Sequence, residues 1–183
     1  MSGLGPVLET ERLILRPPAE EDMEAFAAFH ADAETMKHLG GVVAREVSWR
    51  IVAVHAGAWA LHGFGMFSIL EKASGRWIGR LGPWSPEGWP GTEVGWGVAR
   101  DCWGKGYATE GATAAIDWAF DRLGWSDVIH CIAPENLGSA AVARRLGSAN
   151  RGPGRMAAPF DHMPVDIWGQ SRAQWQARRV NGG

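Results

Sequence analysis

The sequence predicts an α+β domain. Segments with two-residue alternation or continuous apolar character, which are typical of strands, are interspersed with segments whose apolar residues recur at helical spacing. Stretches rich in glycine and proline separate them, as expected of turns and loops. With 183 residues, of which 46% are hydrophobic, the chain can bury the core of one domain, and we expect a single domain over residues 1–183.

The first third of the chain predicts one strand followed by helices. Residues 8–16 alternate toward their end and stop at two prolines, which predicts a strand. Helical spacing of apolar residues then predicts helices over residues 20–30, 33–39 and 48–61. We expect Ser48 to cap the last of these helices, because a serine hydroxyl can accept a bond from a first-turn amide.

The centre of the chain predicts three strands. Residues 64–70 and 76–82 flank a glycine-containing turn and form a predicted hairpin. Residues 83–91 are a predicted loop because of their prolines and glycines, and residues 92–98 alternate strictly as a strand. One face of that strand carries Val94, Trp96 and Val98, and the other carries Glu93, Gly95 and Gly97. The two glycines predict room for a ligand to approach the backbone on the second face.

The second half predicts two helices around a buried strand. Residues 107–123 have one apolar face and end at a glycine, as expected of an amphipathic helix. Residues 128–132 are nearly all apolar, which is typical of a strand buried on both faces. The helix that follows is predicted to begin at the N-cap Asn136 and to close at Gly147.

The C-terminal part is less regular. Residues 148–163 are rich in glycine and proline and predict no regular element, whereas residues 164–168 predict a last strand. A short helix is expected over residues 171–180, with residues 181–183 as a frayed end.

The segment between the fourth predicted strand and the helix that follows it suggests an anion site. Gly104 and Gly106 allow a tight turn, after which the first helical amides point outward without partners. Such amides and the positive end of the helix dipole contribute roughly 1–2 kcal/mol toward a phosphate. Two common phosphate motifs do not fit, because Gly106 occupies the hydroxyl position of a P-loop and Thr109 the third-glycine position of a dinucleotide fingerprint.

Three segments resemble one protein family. The run Trp103-Gly-Lys-Gly-Tyr-Ala108 is similar to the acyl-CoA signature Arg/Gln-x-x-Gly-x-Gly/Ala of the GNAT N-acetyltransferases, with tryptophan at the Arg/Gln position. This run and the opening Glu-Thr-Glu-Arg-Leu-Ile-Leu-Arg of residues 9–16 resemble the RimJ/RimL-like branch, which acetylates amines that include protein N-termini. The Pro-Glu-Asn-x-x-Ser pattern of residues 134–139, with its later Leu-Gly, resembles the family segment that contacts the cofactor.

The resemblance implies a GNAT fold. Its central sheet is mixed and mostly antiparallel, with a splay between the fourth and fifth predicted strands, residues 92–98 and 128–132, into which acetyl-CoA inserts. The match covers about residues 8–168 and leaves residues 169–183 as a C-terminal tail.

The resemblance also implies the site residues. Glu93 is the candidate base, although it could be an ordinary solvent-facing strand residue. The family's usual tyrosine acid is replaced by Ala143, so Ser139 is the candidate donor to the leaving sulfur, with a purely local backbone bond as its alternative. The candidate cofactor-binding residues are Val98, Arg100, Trp103, Gly104, Lys105, Gly106, Tyr107, Ala108, Thr109, Asn136 and Ser139. Asn136 could instead be only a helix cap.

The function implied is acetyl-CoA-dependent N-acetyl transfer to a primary amine by direct attack on the thioester. The acceptor could be a peptide or protein N-terminus or a small-molecule amine. The alternative is a catalytically inactive CoA-binding sensor or interaction module.

Composition argues against several other functions. A formal net charge of −2 and a pI near 6.3 give no basic field for nucleic acid, and no membrane segment or signal peptide is apparent. The six histidines and two cysteines are dispersed, which argues against a metal site or a disulfide framework. We therefore expect a cytoplasmic protein without metal, and a homodimer is compatible with the sequence.

Overall fold

A computed structural model describes residues 3–181, which form eight strands and six α-helices. The strands are β1 (Leu8–Glu9), β2 (Leu13–Arg16), β3 (Phe67–Glu71), β4 (Trp77–Trp84), β5 (Glu93–Val98), β6 (Asp127–Ile132), β7 (Ala149–Gly154) and β8 (Val165–Ser171). The helices are α1 (Met23–Ala31), α2 (Ala33–Met36), α3 (Arg45–His62), α4 (Tyr107–Arg122), α5 (Leu137–Leu146) and α6 (Arg172–Asn181).

The strands form one sheet in the order β1-β2-β3-β4-β5-β6-β8-β7. Within residues 3–181, neighbouring strands are antiparallel except β5 and β6, which run parallel. That pair is in register at Glu93 and Ile129, and the Ile129 amide donates to the Thr92 carbonyl at 2.9 Å. Beyond this point the two strands separate. The mixed, mostly antiparallel sheet and the splay between these two strands are confirmed.

Helices cover both faces of the sheet. Val98 belongs to the main core, where α4 packs on β4 and β5, whereas the neighbouring Gly97 faces Phe29 of α1. Because successive strand residues point to opposite faces, α4 and α1 lie on opposite sides of the sheet. Trp175 of α6 is also buried in the main core and donates its indole N–H to Asp117 of α4 at 2.7 Å. The helix predicted over residues 171–180 is therefore present and packed; Gly182 and Gly183 lie outside the described residues.

Two predictions for the first third of the chain were wrong. Residues 8–16 form two strands rather than one, joined by a turn in which the Thr10 amide donates to the Leu13 carbonyl at 3.0 Å. Ser48 does not cap a helix, since α3 begins three residues earlier and Ser48 is fully buried. Its hydroxyl instead bonds to Nδ1 of His30 at 2.7 Å.

Other strand boundaries also differ from the prediction. β4 continues through Pro83 and Trp84, which pair with Val94 and Glu93, although both had been predicted to lie in a loop. β3 begins at Phe67 rather than at residue 64, and β8 extends past residue 168 to Ser171.

Strand β7 was not predicted. It lies at the sheet edge against β8, and the register between the two strands shifts between Asn150 and Pro153. Glycine and proline inside an irregular edge strand obscure the two-residue period, and most of its residues are not buried. Local sequence therefore carried little signal for it.

Gly111 allows α4 to approach the sheet closely. A Cβ at this buried position would lie 2.5 Å from Cδ2 of Leu81 and 3.4 Å from Cδ1 of Leu13, both fully buried. We therefore expect Gly111→Ala to lower the free energy of unfolding by about 1–3 kcal/mol, because overpacking outweighs the better helix propensity. Urea denaturation measures the change.

Gly57 of α3 provides the matched control. It is also inside a helix, but a Cβ there would meet nothing within 4 Å. Gly57→Ala should therefore raise the free energy of unfolding by about 0.5–1 kcal/mol. Equal effects of the two substitutions would contradict the close packing described for Gly111.

Candidate active site

The segment between β5 and α4 forms a tight loop, here called the glycine loop and defined as residues 103–106. Gly104 and Gly106 have φ angles of +74° and +83°, a left-handed conformation that glycine adopts without steric cost. Gly106 is also the N-cap of α4, so the loop leads directly into the helix.

The first turn of α4 presents amides to a cleft. Helical hydrogen bonding begins where the Glu110 amide donates to the Gly106 carbonyl at 3.0 Å, so the three preceding amides have no intrahelical partner. The hydroxyl of Thr109 in the same turn is buried and has no hydrogen-bond partner within residues 3–181. The cleft, here called the cradle cleft, has a volume of about 970 Å³ and is bounded by the glycine loop, residues 34–39 and α5.

The turn between β1 and β2 holds the glycine loop in place. Arg12 donates from Nε to Glu110 at 2.7 Å and from Nη1 to the Lys105 carbonyl at 2.9 Å. Its guanidinium also lies 4.5 Å from the centre of the Tyr107 ring. Burial raises the pKa of Glu110, but hydrogen bonds from Thr10 and Arg12 outweigh it and lower that pKa below its usual value. An ionised Glu110 thus links this turn to the first turn of α4.

A second cleft of about 480 Å³, here called the Glu93 cleft, contains the candidate base. Glu93 is only 6% exposed, so its interpretation as a solvent-facing residue was wrong. Its carboxylate accepts from the Trp89 indole N–H at 2.6 Å and from the Cys131 amide at 2.9 Å. Burial raises the pKa of Glu93, and these hydrogen bonds offset part of that rise.

The two clefts meet in the splay between β5 and β6. Both are lined there by Trp96, Asn136 and Ser139. The Trp96 indole donates to the Ser139 hydroxyl at 3.2 Å, and the Asn136 side chain accepts from the Ser139 amide at 3.0 Å. Asn136 is therefore the N-cap of α5, as predicted, and it also faces both clefts. The arrangement places an amide-lined cleft and a buried carboxylate on either side of one serine.

Comparison with known proteins identifies the family. The family model described as an acetyltransferase (GNAT) domain matches residues 12–149 of this 183-residue chain. The chain belongs to the GNAT acetyltransferase family. The family prediction is confirmed, and with it the assignment as an acyltransferase enzyme.

Curated relatives agree with this assignment. The chain is 30% identical to an uncharacterised N-acetyltransferase, p20, from Bacillus licheniformis, over 79% of this chain and 83% of that protein. It is 31% identical to the FsC-acetyl coenzyme A-N(2)-transacetylase of Aspergillus fumigatus, over 78% of this chain and 64% of that protein.

Solved structures share the fold. An acetyltransferase from Agrobacterium tumefaciens superposes with a TM-score of 0.79 and 31% identity, over 91% of this chain and 95% of that one. The ribosomal-protein-S5-alanine acetyltransferase of Vibrio fischeri superposes with a TM-score of 0.69 and 17% identity, over 93% and 98% of the two chains. At that identity the second match supports the fold alone.

Residues 3–181 of this acetyltransferase contain neither a candidate metal site nor a candidate membrane span. No group of three or more His, Cys, Asp or Glu side chains there is arranged to hold a metal ion. No helix in the same range is both long and apolar enough to span a bilayer.

Nine of the eleven predicted cofactor-binding residues line the cradle cleft of the acetyltransferase: Val98, Trp103, Gly104, Gly106, Tyr107, Ala108, Thr109, Asn136 and Ser139. Arg100 and Lys105 do not; both are exposed. The Trp103 side chain donates to the Val98 carbonyl at 2.7 Å, so the residue at the family's Arg/Gln position caps the end of β5. The Tyr107 hydroxyl donates to Glu71 rather than into the cleft.

The glycine face of β5 borders both clefts, with Gly97 in the lining of one and Gly95 in the lining of the other, but protein side chains also pack closely against it. A Cβ on Gly97 would lie 3.0 Å from Phe29 and 3.3 Å from Leu39, and one on Gly95 would lie 3.1 Å from Met66. These glycines therefore accommodate neighbouring side chains of the protein as well as lining the clefts.

The sequence did not single out several cleft residues. Lys37 and Arg145 supply positive charge to the cradle cleft, and Arg80 lies in the Glu93 cleft. Trp96, predicted only to share a strand face with Val94 and Val98, is half-buried in the splay, 4.7 Å from the ring of His130. Local sequence does not distinguish a single cation in a site from one on the surface. Nor does it distinguish a strand tryptophan in a site from one in the core.

Three buried histidines surround the Glu93 cleft: His30, His55 and His130. Burial lowers the pKa of His30 and His130 from 6.5 to about 4, and it lowers the pKa of His55 as well. His130 bonds to the Val94 carbonyl at 2.7 Å and to the Ser148 hydroxyl at 2.9 Å, as expected of a satisfied core histidine. All three are neutral at pH 7.

These histidines predict acid sensitivity of the fold. In the unfolded chain each binds a proton below about pH 6.5, whereas in the folded chain the pKa is depressed, so stability is lost as the pH falls from 6.5 toward 4. Near pH 5 unfolding should take up about two protons at His30 and His130, equivalent to a loss of roughly 3 kcal/mol per pH unit, and the lowered pKa of His55 adds to this loss. Denaturation curves from pH 7 to pH 5 measure the slope.

Two variants test the contribution of His130 alone to the proton uptake on unfolding. His130→Asn should reduce the proton uptake by about one, since Asn keeps hydrogen-bonding atoms but does not titrate. His162→Asn, at an exposed position, is the matched substitution control. An unchanged slope in His130→Asn would contradict the depressed pKa of His130.

Proposed function

We propose that this acetyltransferase moves the acetyl group of acetyl-CoA to a primary amine, either a peptide or protein N-terminus or a small-molecule amine, by direct attack on the thioester. The observation that carries the proposal is the junction of the two clefts at Trp96, Asn136 and Ser139. One cleft offers a phosphate-binding helix end, and the other offers a buried base.

The residues of the cradle cleft fit acetyl-CoA. The unpaired amides of the first α4 turn and the buried Thr109 hydroxyl are donors that have no acceptor within residues 3–181. Nothing lies within 4 Å of a Cβ position on Gly104, so the backbone there is open to close approach. Lys37 and Arg145 add positive charge to a lining that also contains Glu34, Glu135 and the Arg12-paired Glu110. When bound, acetyl-CoA supplies the acetyl group as an activated thioester.

Glu93 is the proposed general base. An amine attacks only after it loses a proton, and a carboxylate of raised pKa accepts that proton better than an exposed one. Trp89 and the Cys131 amide hold both carboxylate oxygens, which fixes the position of the base. The proton passes to Glu93 directly or through one water molecule.

Ser139 is the proposed donor to the leaving sulfur. Its hydroxyl accepts from Trp96 and keeps its own proton for donation, and its amide is held by Asn136. The two curated relatives described above bear names that denote N-acetyl transfer or transfer from acetyl coenzyme A, which supports the proposed reaction class.

Acetyl-CoA binding tests the cradle. We expect Gly104→Asp to weaken acetyl-CoA binding at least about tenfold relative to Gly104→Asn, because only the carboxylate repels phosphate. Both residues are small and tolerate the left-handed backbone better than most, so the pair differs mainly in charge. Titration of each purified variant, followed by tryptophan fluorescence or by the rise in melting temperature, measures the affinity. Equal affinities would contradict a phosphate position at Gly104.

Acetyl transfer tests the base. Glu93→Gln should lower kcat at least about 100-fold at pH 7 and leave acetyl-CoA affinity unchanged, since the amide cannot accept the proton. Glu46→Gln, on the exposed face of α3, should retain full activity. The readout is free CoA released with an amine acceptor.

The same assay distinguishes an active acetyltransferase from a catalytically inactive module that only binds CoA. Wild-type protein that binds acetyl-CoA but transfers its acetyl group to no amine would favour the module. Retention of activity in Glu93→Gln would assign the proton acceptor elsewhere.

A further inference from the structure

Arg80 of β4 is a positively charged group in the Glu93 cleft that the proposed chemistry does not use. Its Nε is buried and has no hydrogen-bond partner, and none of the ion pairs formed within residues 3–181 includes it. Arg80 as a whole is half-buried, so its charge is partly removed from water. A guanidinium in such a position normally has an anionic partner, because removing an unpaired charge from water is costly. The partner is missing from the described chain.

The groups around Arg80 do not supply that partner. Glu93 attracts Arg80 electrostatically, but within residues 3–181 the two form no ion pair, and the oxygens of Glu93 accept from Trp89 and from the Cys131 amide. Glu87, which also lines the cleft, is exposed and forms no ion pair with Arg80 in that range. His30 and His55 also face the cleft, and both are uncharged at pH 7. Much of the remaining lining is apolar, with Trp84, Met156 and Phe160 among its side chains.

The sheet register sets the distance between Arg80 and Glu93 and places them on the same face of the sheet. Arg80 pairs with Gly97, and Glu93 lies four residues before Gly97 on the neighbouring strand, about 13 Å along it. Register partners and residues two or four apart share a face, so both side chains project into the same cleft. Because the Arg80 side chain is long, its guanidinium can approach the Glu93 carboxylate more closely than the backbone separation, to a distance that one small molecule can span.

We propose that the acceptor is an amine that also bears an acidic group, foremost a carboxylate, and that Arg80 binds this group while the amine lies at Glu93. The inference rests on the proposed function and narrows its acceptor. Guanidinium binds a carboxylate through two parallel hydrogen bonds, which would orient the acceptor as well as hold it. Free amino acids and peptides with an acidic residue near the N-terminus both present this chemistry.

The test measures kcat/KM for matched acceptor pairs. One arm compares the common α-amino acids with their amides, and the other compares alanyl-aspartyl with alanyl-asparaginyl peptide amides. The acid-to-amide ratio is determined for wild-type protein, Arg80→Met and Arg80→Lys, so that intrinsic differences in amine reactivity cancel. We expect the ratio to fall at least about tenfold in Arg80→Met and less in Arg80→Lys, which keeps the charge but loses the planar fork. A larger fall of the ratio in the amino-acid arm indicates the carboxylate of a free amino acid, and a larger fall in the peptide arm indicates an acidic side chain of a peptide.

A second readout does not depend on turnover. Arg80→Met should melt at or above the wild-type temperature, because it removes an unpaired buried charge, and its acetyl-CoA affinity should be unchanged. The acetylated acidic product should raise the melting temperature of wild-type protein but not of Arg80→Met.

The outcomes distinguish this inference from the proposed function. Transfer to amines with the same acid-to-amide ratio in wild type and Arg80→Met overturns the role of Arg80 and leaves N-acetyl transfer in place. An absence of transfer to every acceptor, from wild-type protein that binds acetyl-CoA, overturns the proposed function and this inference with it.

Discussion

The separation of β5 from β6 is the constraint on which the site depends. The strands pair at Glu93 and Ile129 and then diverge, so backbone groups that would have completed a parallel ladder end beside an open space. Trp96 partly fills that space, and α5 places Ser139 against it. The candidate base therefore lies at the closed end of the splay, buried by the pairing itself, while the glycine loop lies at the open end.

Local features of the site could be predicted from the sequence because neighbouring residues determine them. Gly104 and Gly106 adopt the left-handed backbone that a turn into a helix requires, and Asn136 caps α5 as its residue type suggests. The resemblance to a known family then joined these segments, which are distant in sequence, into one site. Helix α6 and most strands also followed from periodicity.

Features that depend on tertiary contacts could not be predicted. Ser48 fits the pattern of a cap, but its hydroxyl is needed by His30 in the core. The strand β7 exists because β8 offers it an edge, and its own glycine and proline argue against it. Arg80 looks like any strand cation until the register with Gly97 places it in the cleft of Glu93. In each case the structural role depends on a contact with a residue that is distant in sequence.

The contact of Arg12 with Glu110 joins positions 98 residues apart in sequence. Two strands of the sheet on which α4 packs, β1 and β2, come from the first sixteen residues, and so does the arginine that holds the glycine loop. Such non-local contacts form late and slowly compared with helices and hairpins. In a chain that emerges from the ribosome, helices α1, α2 and α3 can therefore form before the glycine loop is held, because the contact that holds it needs residue 110 as well as residue 12.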